Sequence, residues 1–329
     1  MKTCNLQNAL KEYILNSGNP DMLAYGREVT EGDGSRFHWL IRHVMRLGRM
    51  RNARVLDLGC GFGWHSLALA LVGNNRVVAN DVRETMTSAL TERVAAARRS
   101  GHEVDVTALC ADICSLPLPA ESFDAIFCNQ TVEHVRDLQQ MFDVCARVLK
   151  RGGRAIVIDD NNALNAKQLV DMRKMWQERD TSDKFVEGLK HYRPIENRDA
   201  KPYIKMRESI IRQAGPALTE TAVQAIADAS AGMLEHDIAE YAKHYQSEST
   251  LPTRPPLSWC RNPITGEYCE RQLDPYELKE MMERAGFRTQ VRHAFRKAPL
   301  RFLNGIQFRP LNRLLFNRRA VFVLVAEKI

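Results

Sequence analysis

A chain of 329 residues with 44% hydrophobic and 26% charged residues has an ordinary globular composition and enough apolar material for one large domain, or for a domain carrying an insertion. No apolar run reaches bilayer-spanning length, and the first 20 residues, MKTCNLQNALKEYILNSGNP, lack a signal-peptide core, so the expected location is the cytoplasm. The formal net charge of +7 is uneven: from Arg288 onward stand ten Lys or Arg and one acid, Glu327, which argues for an anionic partner near the C-terminus and against a uniformly basic protein.

Residues 1–50 form an N-terminal helical segment. A short helix at 6–15 is interrupted by Ser17-Gly18-Asn19-Pro20, and Phe37, Leu40, Ile41, Val44 and Met45 repeat at helical spacing. Val55, Leu56 and Leu58 around Asp57 then feed Gly59-Cys60-Gly61-Phe62-Gly63-Trp64, and a helical pattern begins at Ser66. That is a buried strand, a tight turn and a helix N-terminus, where α/β sheets take nucleotides. Glycines there let a ligand approach the backbone and adopt dihedrals closed to other residues. The spacing is G-x-G-x-G; the last glycine of a dinucleotide fingerprint would fall at Trp64.

Strand and helix signals then alternate. Strands are expected at 54–58, 76–80, 104–109, 122–129 and 154–158, and helices at 63–71, 83–100 and 138–149. Such alternation implies a parallel sheet with both faces covered. From 161 to 272 the pattern becomes helical stretches at 166–179, 203–213 and 220–246 with no convincing strand, then a Pro-rich stretch at 251–256. This reads as an inserted, mainly helical cap. Asp274-Pro275-Tyr276-Glu277 opens a helix with Asp as N-cap and Pro at its first position, and Gly286 closes it. Strands at 287–294 and 320–326 complete the chain. The expected organisation is a helical cap at 1–50, a core at 51–160, the insertion at 161–272, and the rest of the core with a basic insertion at 273–329. None of the eight cysteines stands in a C-x2-C pair, so no metal site is expected.

Asp57-Leu58-Gly59-Cys60-Gly61-Phe62-Gly63 resembles motif I of class I S-adenosylmethionine-dependent methyltransferases. Phe123-Asp124, Glu133-His134-Val135 and Leu149-Lys150-Arg151-Gly152-Gly153 extend the likeness over 53–160 and 274–294. The resemblance implies an α/β, Rossmann-like, seven-stranded, mostly parallel sheet whose last strand lies antiparallel beside the sixth, with S-adenosyl-L-methionine as cofactor. It also implies the binding residues. Asp57, Gly59, Cys60, Gly61 and Gly63 would serve the methionine end, Asp81 with Val82 the ribose, Asp112 with Ile113 the adenine, and Asn129 the sulfonium side. The N-terminal helices would cover the mouth, with Tyr25, Gly26 and Arg36 within reach of the methionine carboxylate. One acid at a strand end would more simply cap a helix. Acids ending successive strands on one rim favour a shared ligand.

For catalysis, His134 is the candidate base, because histidine titrates near neutral pH; Glu133-His134 also reads as an element packed beneath the pocket. Asp160, within Asp159-Asp160-Asn161-Asn162, either serves an acceptor hydroxyl or belongs to a solvated turn. His191-Tyr192-Arg193-Pro194 and the stretch 259–268 mix aromatics with Arg and Asn, which suits a sugar. With the 159–165 stretch, they resemble methyltransferases of bacterial surface glycans. The expected activity is O-methylation of a small-molecule or glycan acceptor. The alternatives are RNA methylation, which Asn129-Gln130-Thr131-Val132 disfavours, and a non-catalytic binding subunit. The basic segment 295–319 interleaves Arg with Leu300, Leu303, Ile306, Leu311, Leu314 and Leu315. Contact with a membrane surface and packing on the sheet fit it equally, with nucleic acid third. The oligomeric state is open.

Overall fold

The computed structural model describes residues 11–12, 14–16, 18–30, 35–99, 101–251 and 260–329. Most of the 6–15 helix, Ser17, residues 252–256 of the Pro-rich stretch, Trp259 and the Tyr25 side chain lie outside the described residues.

Five parallel strands come first: β1 (Arg54–Leu58), β2 (Arg76–Asp81), β3 (Asp105–Cys110), β4 (Phe123–Asn129) and β5 (Leu149–Asp159). A two-residue hairpin, β6 (Cys260–Arg261) with β7 (Tyr268–Cys269), precedes β8 (Phe287–His293) and β9 (Phe322–Lys328). The main sheet has the order β3-β2-β1-β4-β5-β9-β8. Strand β9 is antiparallel to both neighbours. The expected seven-stranded, Rossmann-like architecture is present, including the antiparallel last strand.

Alternate residues of the strands serve opposite faces. Val55, Phe127 and Ile156 join Phe37, Ile41 and Val44 of α3 (Ser35–Gly48) and Leu67 of α4 (Trp64–Gly73) in one apolar cluster. Leu56, Cys128 and Val157 join Phe142 of α6 (Leu138–Val148) and Leu278 and Met282 of α12 (Pro275–Arg284) in the other. The near-continuous apolar strands thus reflect burial on both faces. Before α3, α1 (Pro20–Tyr25) is capped by the Asn19 side chain and α2 (Arg27–Thr30) follows at once. Between β2 and β3 lies α5 (Glu84–Arg99).

Two expectations about elements are corrected. Strand β5 begins at Leu149 instead of 154, because Lys150-Arg151-Gly152-Gly153 continues the chain as a bulged strand and does not close the preceding helix. Gly152 takes φ +73°, and a side chain at Gly153 would press on the carbonyls of Lys150 and Asp124, so the glycines serve the bulge. The helix expected over 220–246 is two, α10 (Glu220–Ala229) and α11 (Glu235–Glu248), separated by a turn in which Gly232 has φ +82°.

The chain divides into two compact units, Met1–Asn165 with Leu273–Ile329, and Ala166–Gln272. The second unit holds α7 (Ala166–Thr181), α8 (Asp183–Tyr192), α9 (Tyr203–Ala214), α10 and α11. Helix α8, not anticipated from the pattern, starts where the Ser182 hydroxyl accepts from the Phe185 N–H. Arg207, 1% exposed, pairs with both Asp180 carboxylate oxygens at 2.6 and 2.9 Å, which offsets the cost of burying its charge. The hairpin sets Cys260 opposite Cys269, a neighbourhood that their distance in sequence concealed. Its Asn262-Pro263-Ile264-Thr265-Gly266 loop is an ordinary turn, the Asn262 side chain accepting from Ile264 N–H and Thr265 N–H.

Candidate cofactor site and acceptor end

The apolar run of β1 stops at Leu58 because the next residue has φ +66° and no room for a side chain. A Cβ on Gly59 would overlap Thr131, whose hydroxyl, just beyond β4, donates to the carbonyls of Leu58 and Asn129 at 3.3 and 3.1 Å. Gly63, at φ +80°, closes the turn against Leu90 and hands the chain to α4. Gly61 differs. It has φ +52°, and a Cβ there would meet nothing within 4 Å.

Asp57 lies beneath this loop, 2% exposed, and accepts from the Ser66 hydroxyl at 2.5 Å. Its role here is to tie β1 to the first turn of α4. Burial raises its pKa from 3.8 to about 6, against the opposing hydrogen bond from Ser66. The folded state therefore holds a proton that the unfolded chain releases. The associated stability is full below pH 3.8 and is lost as the pH rises through about 6. Asp57→Asn should gain on the parent by on the order of 2–3 kcal/mol between about pH 4 and about pH 7.5, read from urea unfolding at the two pH values. A pH-independent difference would show that Asp57 ionises normally.

Asp81 ends β2, 5% exposed. One carboxylate oxygen accepts from Gly61 N–H at 3.0 Å and the other from Arg83 N–H at 3.0 Å. One side chain thus anchors the glycine loop and the turn before α5, and each oxygen keeps a further lone pair. Val82 beside it is 65% exposed. Cys60 is buried, its N–H donating to the Asn80 carbonyl at 2.8 Å, and burial pushes its thiol up. Asn80, which the sequence pattern did not single out, donates to the carbonyls of Leu109 and Ala111 at 3.1 and 2.8 Å and fixes the end of β3. There Asp112 accepts from Cys114 N–H at 2.8 Å and lies 3.9 Å from Arg136, with Ile113 half-buried next to it. Asn129 ends β4, half-buried, and Gln130 after it takes φ +49°, a conformation that costs about 1–3 kcal/mol for a non-glycine residue and concentrates at functional sites.

Glycines 59, 61 and 63, Asp81, Asp112 and Asn129 therefore share the carboxyl edge of the sheet. The residues fit S-adenosylmethionine. A Cβ on Gly61 would meet nothing within 4 Å, Asp81 and Asp112 follow successive strands with exposed Val82 between them, and the cations nearest them, Arg83 and Arg136, lie 3.6 and 3.9 Å from those carboxylates. Gly26 plays a packing part, since a Cβ there would press on Ile14 at 2.9 Å; Arg36 is exposed. Arg93, 1% exposed, lies 4.0 Å over the Trp64 ring and reaches the Met22 sulfur, joining α1 and α5 beside the glycine loop.

A second group, the candidate acceptor end, comprises residues of the turn after β4 and the end of β5. Glu133 is 2% exposed, and its carboxylate lies 3.7 Å from His134 Nε2, on a ring about one-third exposed. Asp159 is fully buried and accepts from Asn161 N–H at 2.8 Å. Burial first, and then the adjacent Glu133, push its carboxyl well above the usual range. Asn161 and Asn162 are buried too, so 159–162 is no solvated turn. Asp160 is the half-buried member. An open polar recess lined by Asn52, Arg76, Arg98 and His102 lies at the amino ends of β1–β3, away from these groups.

Residues 56–157 match the methyltransferase domain family. The chain is 38% identical over 124 residues to ubiquinone biosynthesis O-methyltransferase of Xylella fastidiosa (38% of this chain, 48% of that protein). It is 32% identical over 155 residues to the protein of that name from Rhizobium johnstonii (47% and 58%). The chain spans about half the length of these curated relatives. Among solved structures, an S-adenosylmethionine-dependent methyltransferase from Mesorhizobium loti is similar at TM-score 0.45 and 15% identity, covering 90% of this chain and 99% of that one. Phosphoethanolamine N-methyltransferase 2 of Haemonchus contortus with S-adenosyl-L-methionine is similar at TM-score 0.46 and 14% identity (97% and 60%).

Proposed function

Because the chain carries a class I S-adenosylmethionine-dependent methyltransferase domain, we propose that it methylates a hydroxyl of a small-molecule acceptor. Asp81 and the glycine loop hold the cofactor, which supplies an electrophilic methyl carbon on a sulfonium. When bound, it would offer that methyl carbon to the acceptor oxygen with the neutral thioether as leaving group, and His134 is placed to take the hydroxyl proton. Little covalent chemistry is asked of the protein, so positioning and exclusion of water dominate.

The observation that carries the catalytic assignment is the line of His134, Glu133 and Asp159. Burial and the adjacent Glu133 push the Asp159 carboxyl well above the usual range, which favours a proton held toward Glu133, and Glu133 in turn lies 3.7 Å from His134. The ring nitrogen turned away from Glu133 takes the acceptor proton, and the buried carboxylate then faces an imidazolium. Such an arrangement strengthens a base where it is needed. Asp160 lies at the same end and is assigned to holding the acceptor. An oxygen acceptor is supported by relatives named O-methyltransferases. Nothing favours a glycan: the 262–266 stretch that suggested a sugar is a plain turn.

The test is methyl-labelled cofactor with purified protein and fractionated lysate, followed by defined phenols and alcohols. Label in an organic-extractable small molecule is expected. Label confined to RNA or polymeric glycan would replace the acceptor class, and no label in any fraction would favour a binding subunit. His134→Asn should lower kcat by about 100-fold with cofactor affinity unchanged in calorimetry. An unaltered kcat would remove the base from His134.

A further inference from the structure

The segment between β8 and β9 has two faces. Inward, it is pinned to the sheet. Phe316 of α13 (Arg309–Phe316) is fully buried with its ring 4.0 Å from that of His293, and Asn312 bonds both His293 and the Ile306 carbonyl. Asn304 exchanges two hydrogen bonds with the Phe295 backbone. The packing expected for this segment is therefore present, but it accounts for one side only. Outward, Phe302 is 74% exposed, Phe308 67%, Leu314 59% and Leu311 37%. Leu311 and Leu314 stand at i and i+3, on a different side of α13 from Asn312 and Phe316. In the same segment Arg296, Lys297, Arg301, Arg318 and Arg319 are exposed, while Arg309 lies 4.7 Å over the Tyr276 ring and Arg313 pairs with Asp274 at 3.2 Å; residues 294–326 contain no acid.

We propose that this face docks on an anionic lipid bilayer, with Phe302, Phe308, Leu311 and Leu314 entering the headgroup region and the surrounding cations meeting lipid phosphates. Charge complementarity identifies the occupant. Apolar side chains ringed by Arg and Lys, on a short helix with a buried opposite side, match an interfacial segment. A nucleic acid would use the same cations and would stack bases on Phe302 and Phe308, but it would leave the aliphatic Leu311 and Leu314 in water, whereas a bilayer takes all four side chains. Position gives the contact a purpose. Phe322 pairs with Asp159 on one side and His293 on the other, so the segment leaves and rejoins the sheet at the carboxyl edge, beside the acceptor end. Asn162, fully buried just after β5, donates to the carbonyls of Phe316 and Arg319 at 3.3 and 2.9 Å. A bilayer bound here lies next to the edge that carries Glu133, His134 and Asp159.

The experiment is co-sedimentation of the full chain with sucrose-loaded vesicles of phosphatidylcholine alone or with one-third phosphatidylglycerol, in low and high salt. Binding is expected only to the anionic vesicles, falling about tenfold or more as the salt is raised. Leu311→Ser with Leu314→Ser should weaken it about tenfold or more. Both residues are exposed, and unchanged thermal melting and cofactor binding would exclude misfolding. No binding to anionic vesicles in low salt, or binding indifferent to the leucine substitutions, would overturn the proposal. So would binding to a mixed-sequence oligoribonucleotide in preference to the vesicles. The readout needs no turnover, so a negative result leaves the methyltransferase reading untouched.

Discussion

Asp81→Ala is expected to weaken S-adenosylmethionine binding by about 100- to 1,000-fold. Two things are lost together. The carboxylate that we propose meets the ribose at the end of β2 disappears, and so does the acceptor that holds Gly61 N–H at 3.0 Å and shapes the glycine loop. Hydrogen bonds involving a charged group contribute roughly 1.5–3 kcal/mol each. Losing two of them, each near the lower end of that range, amounts to about 3–4 kcal/mol, with tenfold in affinity for each 1.4 kcal/mol. The fold should survive with a melting temperature lowered by a few degrees, since the side chain ends a strand whose apolar residues remain. Asp81→Asn keeps one acceptor oxygen and should recover part of the loss. Calorimetric titration decides: a change below tenfold for the alanine variant would remove Asp81 from the cofactor site.

Gly59→Ala should destabilise the domain by about 2–5 kcal/mol, a large fraction of the roughly 5–15 kcal/mol that holds an ordinary domain folded. Its φ of +66° costs a residue with a Cβ roughly 1–2 kcal/mol, and the new methyl would collide with Thr131, adding about 1–3 kcal/mol of overpacking. Thr131 has little freedom to yield, since its hydroxyl spans the carbonyls of Leu58 and Asn129. Gly61→Ala is the informative contrast. With φ +52° and open space around the added methyl, it should cost only the backbone strain, yet depress cofactor affinity because the methyl enters the space the loop leaves bare. Equal unfolding free energies for the two variants would show that the Thr131 contact is not what fixes Gly59. Full cofactor affinity in Gly61→Ala would mean that the ligand does not approach that face of the loop.

These two glycines also show where sequence reading stops. Their spacing, with Asp57 before them and the apolar run of β1, was legible because strand, turn and helix each impose a local requirement. The difference between Gly59, which Thr131 crowds, and Gly61, which faces open space, was not legible, because Thr131 is 72 positions away. Asp81 and Asp112 could be placed on one rim from the alternation of strands alone. That Asp81 also anchors the loop depends on a hydrogen bond between neighbouring strand ends. Gly152 and Gly153 were misread for the same reason: a glycine pair after a helix signals termination locally, and only pairing with β4 makes it a bulge.

The acceptor end was the least legible part. Glu133-His134 and Asp159-Asp160-Asn161-Asn162 were visible as motifs, yet burial separates the partners. Asp159 and Glu133 are enclosed together, whereas Asp160 and His134 keep partial access to solvent. Burial and like charge raise one carboxyl's affinity for its proton, and both are properties of the packed chain. The amino-acid sequence by itself determined the alternation of strand and helix and the glycine loop, because periodicity and backbone dihedral demands act over a few residues at a time, and it made the cofactor legible through the family resemblance that the loop and its neighbouring motifs carry. Tertiary structure alone decided which carboxyl has its affinity for a proton raised, which glycine tolerates a methyl, and which side of the basic segment faces outward, because each depends on neighbours that the chain brings together only by folding.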